Sequence, residues 1–329
     1  MTPALLLPTR PMVDPIEDAT RREFITGVGA AALAAAFLAA CGGDDGEEAT
    51  PSTRTIETAR GPVDLPVTPS KVVAVVNYAM NALFSLGVTP AGVPDGFAGA
   101  VLPTERAMYD AAPKVGQWDA IDVEQVAALQ PDLILGLDIE LNAPIYDQLS
   151  QVAPTVFFSL EGTSDWEKVT EEFAGAMGIA SELTDLVDRY RARAAEVKAA
   201  HETKLAETKF VMANAFETGW VIWYPDASGA QVLSEAGVQW ASAAAGKTGN
   251  YAEYSLEEVN LLEDADVILI RANGGVFNEG SQAFLATPTV QSLPAVAAGH
   301  ALPVANLFPM SYTQALALLD ELDAILSQI

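Results

Sequence analysis

The sequence predicts an α/β protein with two Rossmann-like lobes, each built on a mostly parallel sheet, joined by one long α-helix. Apolar, β-branched runs alternate with segments of helical spacing, which is the pattern of a parallel sheet covered by helices. Residues 181–208 have helical spacing without glycine or proline, and the alternation starts again after them. The interruption near the middle of the folded part predicts a helical spine between two lobes.

The first lobe is predicted over residues 61–180. The run from Lys71 to Val76 is almost wholly apolar, which is typical of a strand buried on both faces, and residues 77–86 are predicted to form a helix that ends at Gly87. Further helices are predicted at 123–129 and 144–149, and further strands at 131–136 and 154–158.

The spine helix is predicted over residues 181–208 because its apolar residues recur at helical spacing. These residues are Leu183, Leu186, Val187, Tyr190, Ala194 and Val197. Arginines and lysines occupy the other faces, as they would on an ordinary surface helix. Its position between two α/β segments is what favours a spine.

The second lobe is predicted over residues 209–329 by the same alternation. Strands are predicted at 210–216, 220–224, 266–270 and 301–304, and helices at 230–236, 256–262 and 314–326. Pro131-Asp-Leu-Ile-Leu in the first lobe corresponds to Ala265-Asp-Val-Ile-Leu in the second, each after a predicted helix. The two lobes are therefore predicted to share one plan.

Residues 1–40 are typical of a twin-arginine-type signal peptide of a lipoprotein. Arg21 and Arg22 precede an uncharged apolar run from Ile25 to Ala40, which is shorter than the ~20 residues that a bilayer span needs. Small residues before Cys41 form a lipoprotein-type cleavage box, so the mature chain is predicted to begin at Cys41 and to carry lipid there. An uncleaved anchor with an incidental cysteine is the alternative.

Residues 41–60 are predicted to be a disordered tether. The stretch is polar and acidic and has almost nothing to bury, so an extended, mobile chain is expected. The folded body is expected to begin near Gly61.

Composition excludes several classes of partner and site. The formal net charge is −27, which disfavours binding to nucleic acid or to anionic headgroups. The single cysteine excludes an internal disulfide, and the two histidines, His201 and His300, are too few for a typical zinc or manganese site. No phosphate loop or Gly-x-Ser-x-Gly motif is present, so no catalytic residue is predicted.

A series of short motifs in a fixed order covers most of residues 61–329. They are Pro69-Ser-Lys-Val-Val-Ala-Val, Leu83-Phe-Ser-Leu-Gly-Val-Thr-Pro-Ala-Gly-Val, Val115-Gly-Gln-Trp, Val123-Glu-Gln-Val-Ala-Ala-Leu-Gln-Pro-Asp-Leu-Ile-Leu, Leu149-Ser-Gln-Val-Ala-Pro-Thr-Val, Tyr254-Ser-Leu-Glu-Glu-Val and Ala265-Asp-Val-Ile-Leu. The ordered set resembles the substrate-binding lipoproteins of iron–siderophore and cobalamin ABC importers. The resemblance implies a class III periplasmic binding protein fold.

The resemblance also implies a function. A protein of this kind would be a lipid-anchored, extracytoplasmic monomer that captures a ferric siderophore between its lobes, without a cofactor. It would deliver that ligand to an ABC permease with a cytoplasmic ATPase. Cobalamin or haem on the same fold, an extracytoplasmic enzyme such as a ferric-chelate reductase, and a surface receptor without transport are the alternatives.

Candidate ligand-binding residues follow from the position of the strands, because ligands of open α/β sheets lie at the carboxyl ends of strands. The candidates are Asn77, Tyr78 and Trp118 in the first lobe, and Trp220, Trp223, Tyr224, Tyr251, Arg271, Phe308 and Tyr312 in the second. Aromatic rings with polar tips suit a bulky, half-polar chelate. Packing in the core is the alternative role for each aromatic residue.

The supply of basic residues bears on the ligand's charge. Only a few arginines, such as Arg106 and Arg271, are placed near the predicted cleft. A triply anionic catecholate complex would call for several converging arginines, so a neutral or cationic chelate of the hydroxamate type is favoured.

Two glutamates match, by the resemblance, the acidic residues with which such proteins meet arginines of the permease. Glu124 and Glu257 each begin a predicted helix, one in each lobe. A carboxylate at a helix N-terminus is also favourable by about 0.3–1 kcal/mol on its own, which is the alternative explanation.

Overall fold

The computed structural model describes residues 53–216 and 219–329. The predicted signal peptide, Cys41 and the first part of the tether lie outside the described residues. None of the helices within the described ranges combines the length and hydropathy that a membrane span requires.

The chain enters the described part through a β-hairpin. Strands β1 (Thr53–Thr58) and β2 (Gly61–Pro66) pair antiparallel, and Gly61 has a φ of +99° at the turn. Arg54 anchors the hairpin by donating to the backbone oxygens of Gly175 and Ala176 at 2.7 and 2.6 Å. The prediction of a disordered tether is therefore wrong for residues 53–60. The alternating pattern Thr-Arg-Thr-Ile-Glu-Thr half-buries every second residue, as an edge hairpin requires.

The first lobe contains two three-stranded sheets. Its strands are β3 (Val72–Ala74), β4 (Val93–Asp95), β5 (Lys114–Gln117), β6 (Ala120–Ile121), β7 (Leu133–Leu137) and β8 (Thr155–Phe158). Its helices are α1 (Asn77–Ser85), α2 (Arg106–Ala111), α3 (Val123–Ala128), α4 (Tyr146–Leu149) and α5 (Trp166–Met177). The sheet β3-β7-β8 is parallel throughout, and in the sheet β4-β5-β6 only the pair β4-β5 is parallel.

The predicted spine is interrupted once. Helix α6 (Ala180–Ala200) ends at His201, whose φ of −121° is not helical, and α7 (Glu202–Glu207) follows. His201 Nε2 lies 2.6 Å from Asp323 Oδ1, and Arg193 contacts the same carboxylate at 2.7 Å. This side-chain network fastens the end of α6 to the last helix of the chain.

The second lobe contains one seven-stranded mixed sheet. Its strands are β9 (Lys209–Ala215), β10 (Trp220–Trp223), β11 (Gln239–Trp240), β12 (Tyr251–Tyr254), β13 (Val267–Asn273), β14 (Val276–Phe277) and β15 (Ala301–Val304). Strands β11, β9, β13 and β15 are parallel, whereas β10, β12 and β14 are antiparallel additions. The helices are α8 (Ser228–Glu235), α9 (Glu279–Ala286), α10 (Pro288–Gln291), α11 (Pro294–Ala297) and α12 (Tyr312–Gln328), and the predicted helix at 256–262 is a 3-10 helix.

Helix α12 ties the two lobes together. It packs against α6, against α8 of the second lobe and against α1 of the first. One apolar cluster runs through these contacts and includes Leu83 of α1, Leu186 of α6, Leu233 of α8 and Leu319 of α12. The lobes therefore share a continuous core along α6 and α12, which favours a stiff junction.

Candidate ligand-binding cleft

A cleft of about 400 Å³ lies where the two lobes meet. Its lining comes from both lobes and consists of Asn77, Asn81, Gly96, Phe97, Gly99, Ala100, Arg271, Asn273, Ala305, Asn306, Phe308, Met310 and Gln314. Asn77 follows β3, Gly96 follows β4, Arg271 lies near the end of β13, and Ala305 follows β15. The cleft is thus built from the carboxyl ends of strands, where ligands of open α/β sheets bind.

Arg271 is the only charged residue in this lining within the described part of the chain. Its guanidinium carbon lies 5.6 Å from the centre of the Phe308 ring, and no ion pair with a described carboxylate occupies it. The surrounding protein lowers the pKa of Arg271, but a guanidinium remains charged near neutral pH. The cleft therefore offers one cation in a strongly acidic protein, and the ring of Phe308 packs beside that cation.

Amide side chains supply much of the remaining polarity. Asn77 Nδ2 donates to Met310 Sδ at 3.0 Å, and Asn81 Nδ2 lies 3.9 Å from the same sulfur. Asn81 is 2% exposed, and its Oδ1 has no hydrogen-bond partner among the described residues. An unpartnered buried acceptor costs about 1–3 kcal/mol.

Three of the predicted ligand-binding residues lie in the cleft lining: Asn77, Arg271 and Phe308. Trp223 and Tyr251 are not in the lining, but they are linked to Phe308 through ring contacts. Their rings form a chain in which the centres of Trp223 and Phe308 are 4.5 Å apart and those of Trp223 and Tyr251 are 4.9 Å apart. These two residues support the cleft wall.

Trp118 lies at the edge of the cleft. It is 39% exposed, and a side-chain carbon placed on Gly96, which lines the cleft, would lie 3.1 Å from Trp118 Cδ1. The indole is thus available to a ligand that protrudes from the cleft.

Four of the residues predicted to bind the ligand are buried and are not among the lining residues of the cleft. Trp220 is 1% exposed and donates through Nε1 to the backbone oxygen of Ser255 at 2.9 Å. Tyr312 is fully buried against other rings. Tyr224 is buried, with its hydroxyl 2.8 Å from that of Tyr254. Tyr78 is also buried, and this burial raises its pKa to about 12.

Several lining residues were missed by the sequence analysis. Asn81 carried a usable signal, because it lies one helical turn after Asn77 and must share its face of α1. The other polar or large lining residues that were missed lie in irregular segments or at the start of a helix, where the spacing of apolar residues does not predict which way a side chain points. They are Phe97, Asn306, Met310 and Gln314.

The two glutamates predicted to dock on a permease are both exposed. Glu124 lies in the first turn of α3, where Asp122 accepts from the Glu124 backbone N–H at 2.9 Å. Glu257 lies in the first turn of the 3-10 helix, but its neighbour Glu258 makes the capping contact with Ser255 at 3.0 Å. Capping thus employs Asp122 and Glu258 and leaves both predicted docking carboxylates pointing to solvent.

A second depression between the lobes, of about 600 Å³, has the opposite character. This rear groove is lined by Ser164, Asp165, Glu167, Lys168, Glu171, Pro225, Gln231, Ser234 and Glu235. Within residues 53–216 and 219–329, no three acidic, histidine or cysteine side chains are grouped so that they could hold a metal ion.

Comparison with known families bears directly on this architecture. The model of the family described as periplasmic binding protein matches residues 72–302. The chain belongs to the periplasmic binding protein family.

Two curated relatives from Bacillus subtilis (strain 168) are similar to part of the chain. The probable siderophore-binding lipoprotein YfiY is 31% identical over 175 residues, covering 50% of this chain and 52% of that protein. The iron(3+)-hydroxamate-binding protein YxeB is 27% identical over 179 residues, covering 52% of each. The chain thus spans about half the length of these relatives.

A solved structure extends the likeness to the whole fold. The siderophore periplasmic binding protein from the fuscachelin gene cluster of Thermobifida fusca has a TM-score of 0.71 at 27% identity, covering 80% of this chain and 99% of that chain. The predicted α/β, class III periplasmic binding protein fold is confirmed by this match and by the long helix α6.

Proposed function

We propose that this protein binds a ferric siderophore in the interlobe cleft and delivers it to an ABC importer. The observation that carries the proposal is the cleft itself, with Arg271 as its single cation among the described lining residues and amides around it. The names of both curated relatives and of the Thermobifida fusca structure concern siderophore or iron–hydroxamate binding, which supports the same ligand class.

The lining favours a chelate with little or no net negative charge, such as one of the hydroxamate type. A highly anionic complex would leave most of its charge without a counter-charge, because one guanidinium faces it. Hydroxamate chelates present oxygen acceptors and, in many cases, amide groups, which match a guanidinium and amide side chains. Phe308, supported by Trp223, provides an apolar surface for the linkers of such a ligand.

The proposed route is extracytoplasmic. Twin-arginine-type export and lipid on Cys41 would hold the protein at the outer face of the membrane. Glu124 and Glu257 would then contact arginines of the permease, one from each lobe, since both carboxylates are exposed. The protein would act as a binding protein without a cofactor.

Tryptophan fluorescence tests the ligand. Purified protein is titrated with ferric Desferal, a hydroxamate complex, with iron-free Desferal and with ferric citrate. We expect quenching by ferric Desferal, because Trp223 packs against the cleft residue Phe308 and Trp118 stands at the edge.

Arg271→Ala should weaken this binding by about tenfold, which is typical of one charge-assisted contact. Arg189→Ala on the exposed face of α6 makes the same charge change away from the cleft and should leave the affinity unchanged. A protein that responds to no ferric complex, or equal losses in both variants, would contradict the proposal.

A further inference from the structure

The first turn of α12 joins the two lobes at the wall of the cleft. Thr313 Oγ1 donates to Glu105 Oε1 at 2.6 Å, and Gln314 Nε2 donates to the backbone oxygen of Ala100 at 3.1 Å. We call these two contacts the α12 seam. Ala100 and Gln314 line the cleft, and Thr313, which contacts Glu105, is the residue before Gln314.

Glu105 is a buried carboxylate with one satisfied oxygen. It is 3% exposed, and its Oε2 has no hydrogen-bond partner in the part of the chain that the structure describes. A charged oxygen that has lost water and gained no partner is costly. Burial therefore raises the pKa of Glu105, and the hydrogen bond from Thr313 offsets only part of that rise.

No charged side chain among the described residues forms an ion pair with Glu105 or contributes to the shift of its pKa. On α2, Arg106 pairs with Asp110 at 2.8 Å on the exposed surface. The segment 96–104 and residues 312–319 of α12 contain no charged side chain. Loss of solvent, rather than an ion pair, thus governs the protonation of Glu105.

We propose that Glu105 is a positioning residue for ligand binding, which holds Thr313 and thereby sets the cleft wall, and that closure of the α12 seam is linked to uptake of a proton by Glu105. The proposal rests on the proposed function for its ligand. It assigns a role to a residue that does not itself line the cleft.

The direction of the linkage follows from solvation. When the seam opens, Glu105 returns to water and its pKa returns to the usual range, so the closed seam binds the proton more tightly. Lower pH therefore favours the closed seam. If the ligand binds the closed form, its affinity rises as pH falls, up to the limit of about tenfold per pH unit that one coupled proton sets.

Glu167 provides a matched control. It accepts from Tyr312 Oη at 3.5 Å, so it also contacts the first turn of α12. However, it lines the rear groove, where burial, Glu235 and Glu171 raise its pKa and Arg191 lowers it. A glutamate that contacts the same turn but faces away from the cleft separates a general effect on α12 from an effect on the cleft wall.

The experiment measures the affinity for ferric Desferal between pH 5.5 and 7.5 in four proteins: the wild type, Glu105→Gln, Thr313→Val and Glu167→Gln. The ratio of the wild-type affinity to the Glu105→Gln affinity should rise at least twofold for each unit by which the pH is lowered. Glutamine resembles the protonated acid and accepts from Thr313, so Glu105→Gln should bind at pH 7.5 at least as tightly as the wild type does at pH 5.5. Thr313→Val should weaken binding several-fold, and Glu167→Gln should keep the wild-type pH profile.

Pairwise comparison with the variants removes the pH dependence of the chelate itself, since every protein receives the same ligand. Identical pH profiles in the wild type and Glu105→Gln, or the same flattening in Glu167→Gln, would overturn the proposal. Thermal unfolding of the ligand-free proteins over the same pH range is a separate measurement. Absence of binding between the wild type and ferric Desferal would contradict the proposed ligand. Separately, an unchanged pH dependence of unfolding in Glu105→Gln would contradict the proposed protonation of Glu105.

Discussion

The cleft and the rear groove are both formed between the lobes, yet they differ in charge. The cleft has one cation, Arg271, and no carboxylate in its described lining, whereas the rear groove collects Asp165, Glu167, Glu171 and Glu235 around a single lysine. Because the chain has a net charge of −27, a random distribution of its carboxylates would place some of them in both depressions. Of these two depressions, the cleft is therefore the better suited to a ligand that presents oxygen acceptors, because carboxylates in the rear groove would face those acceptors.

Reversing the charge of the cleft should remove its difference in charge from the rear groove, and we expect this change to have the largest effect on the Kd. Arg271→Glu places a carboxylate where the proposed ligand presents its oxygens, and the Kd for ferric Desferal should rise by about 100-fold, or about 2.7 kcal/mol. Lys168→Glu reverses a charge in the rear groove and serves as the control. Titration by fluorescence or calorimetry decides, and comparable losses in the two variants would argue against a ligand in the cleft.

Removal of the indole at the edge should have a smaller effect. Trp118→Ala should raise the Kd by roughly three- to tenfold, since an aromatic contact adds about 0.5–1.5 kcal/mol beyond burial. Leu141→Ala removes another exposed apolar side chain of the first lobe and should leave the Kd unchanged. An unchanged Kd for Trp118→Ala would confine the ligand to the interior of the cleft.

The rear groove should influence stability rather than ligand affinity. Burial and the like charges of Glu235 and Glu171 raise the pKa of Glu167, so its contribution to stability is greatest below the pKa of the unfolded chain and is lost as pH rises through the folded pKa. Glu167→Gln should therefore raise the free energy of unfolding near pH 8 by about 1 kcal/mol and should flatten its pH dependence.

The exposed Glu140→Gln gives the reference for that measurement, because it removes the same charge from a solvated position. Denaturant unfolding at pH 5 and pH 8 provides the free energies. A Glu167→Gln curve that remains parallel to the wild-type curve would show that Glu167 ionises as freely as a surface acid.

The exposed glutamates should have no effect on affinity and a large effect on transport. Glu124→Ala combined with Glu257→Ala should keep the wild-type Kd, since neither residue lines the cleft, and should reduce uptake of iron in cells that express the importer. Glu140→Ala combined with Glu253→Ala is the matched exposed pair. Normal uptake by the first double variant would remove the docking role.

The sequence by itself determined the fold class, because the periods of its apolar residues distinguish strands from helices before any contact forms. Those periods located β3, β7, β8, β9 and β13, and therefore the strand ends at which Asn77 and Arg271 meet. They also located α6 to within one interruption. The tether was misjudged from residue 53 onward, since the strand β1 depends on docking against the first lobe through Arg54.

Only the tertiary structure decided which side chains reach the cleft. Trp220 and Tyr312 lie in segments next to the cleft, but their rings point into the core, and sequence position does not specify that direction. Met310 and Gln314 become lining residues because α12 crosses back between the lobes, which is a long-range packing event. The partition of charge between the cleft and the rear groove has the same origin, because it depends on which surfaces two distant parts of the chain bring together.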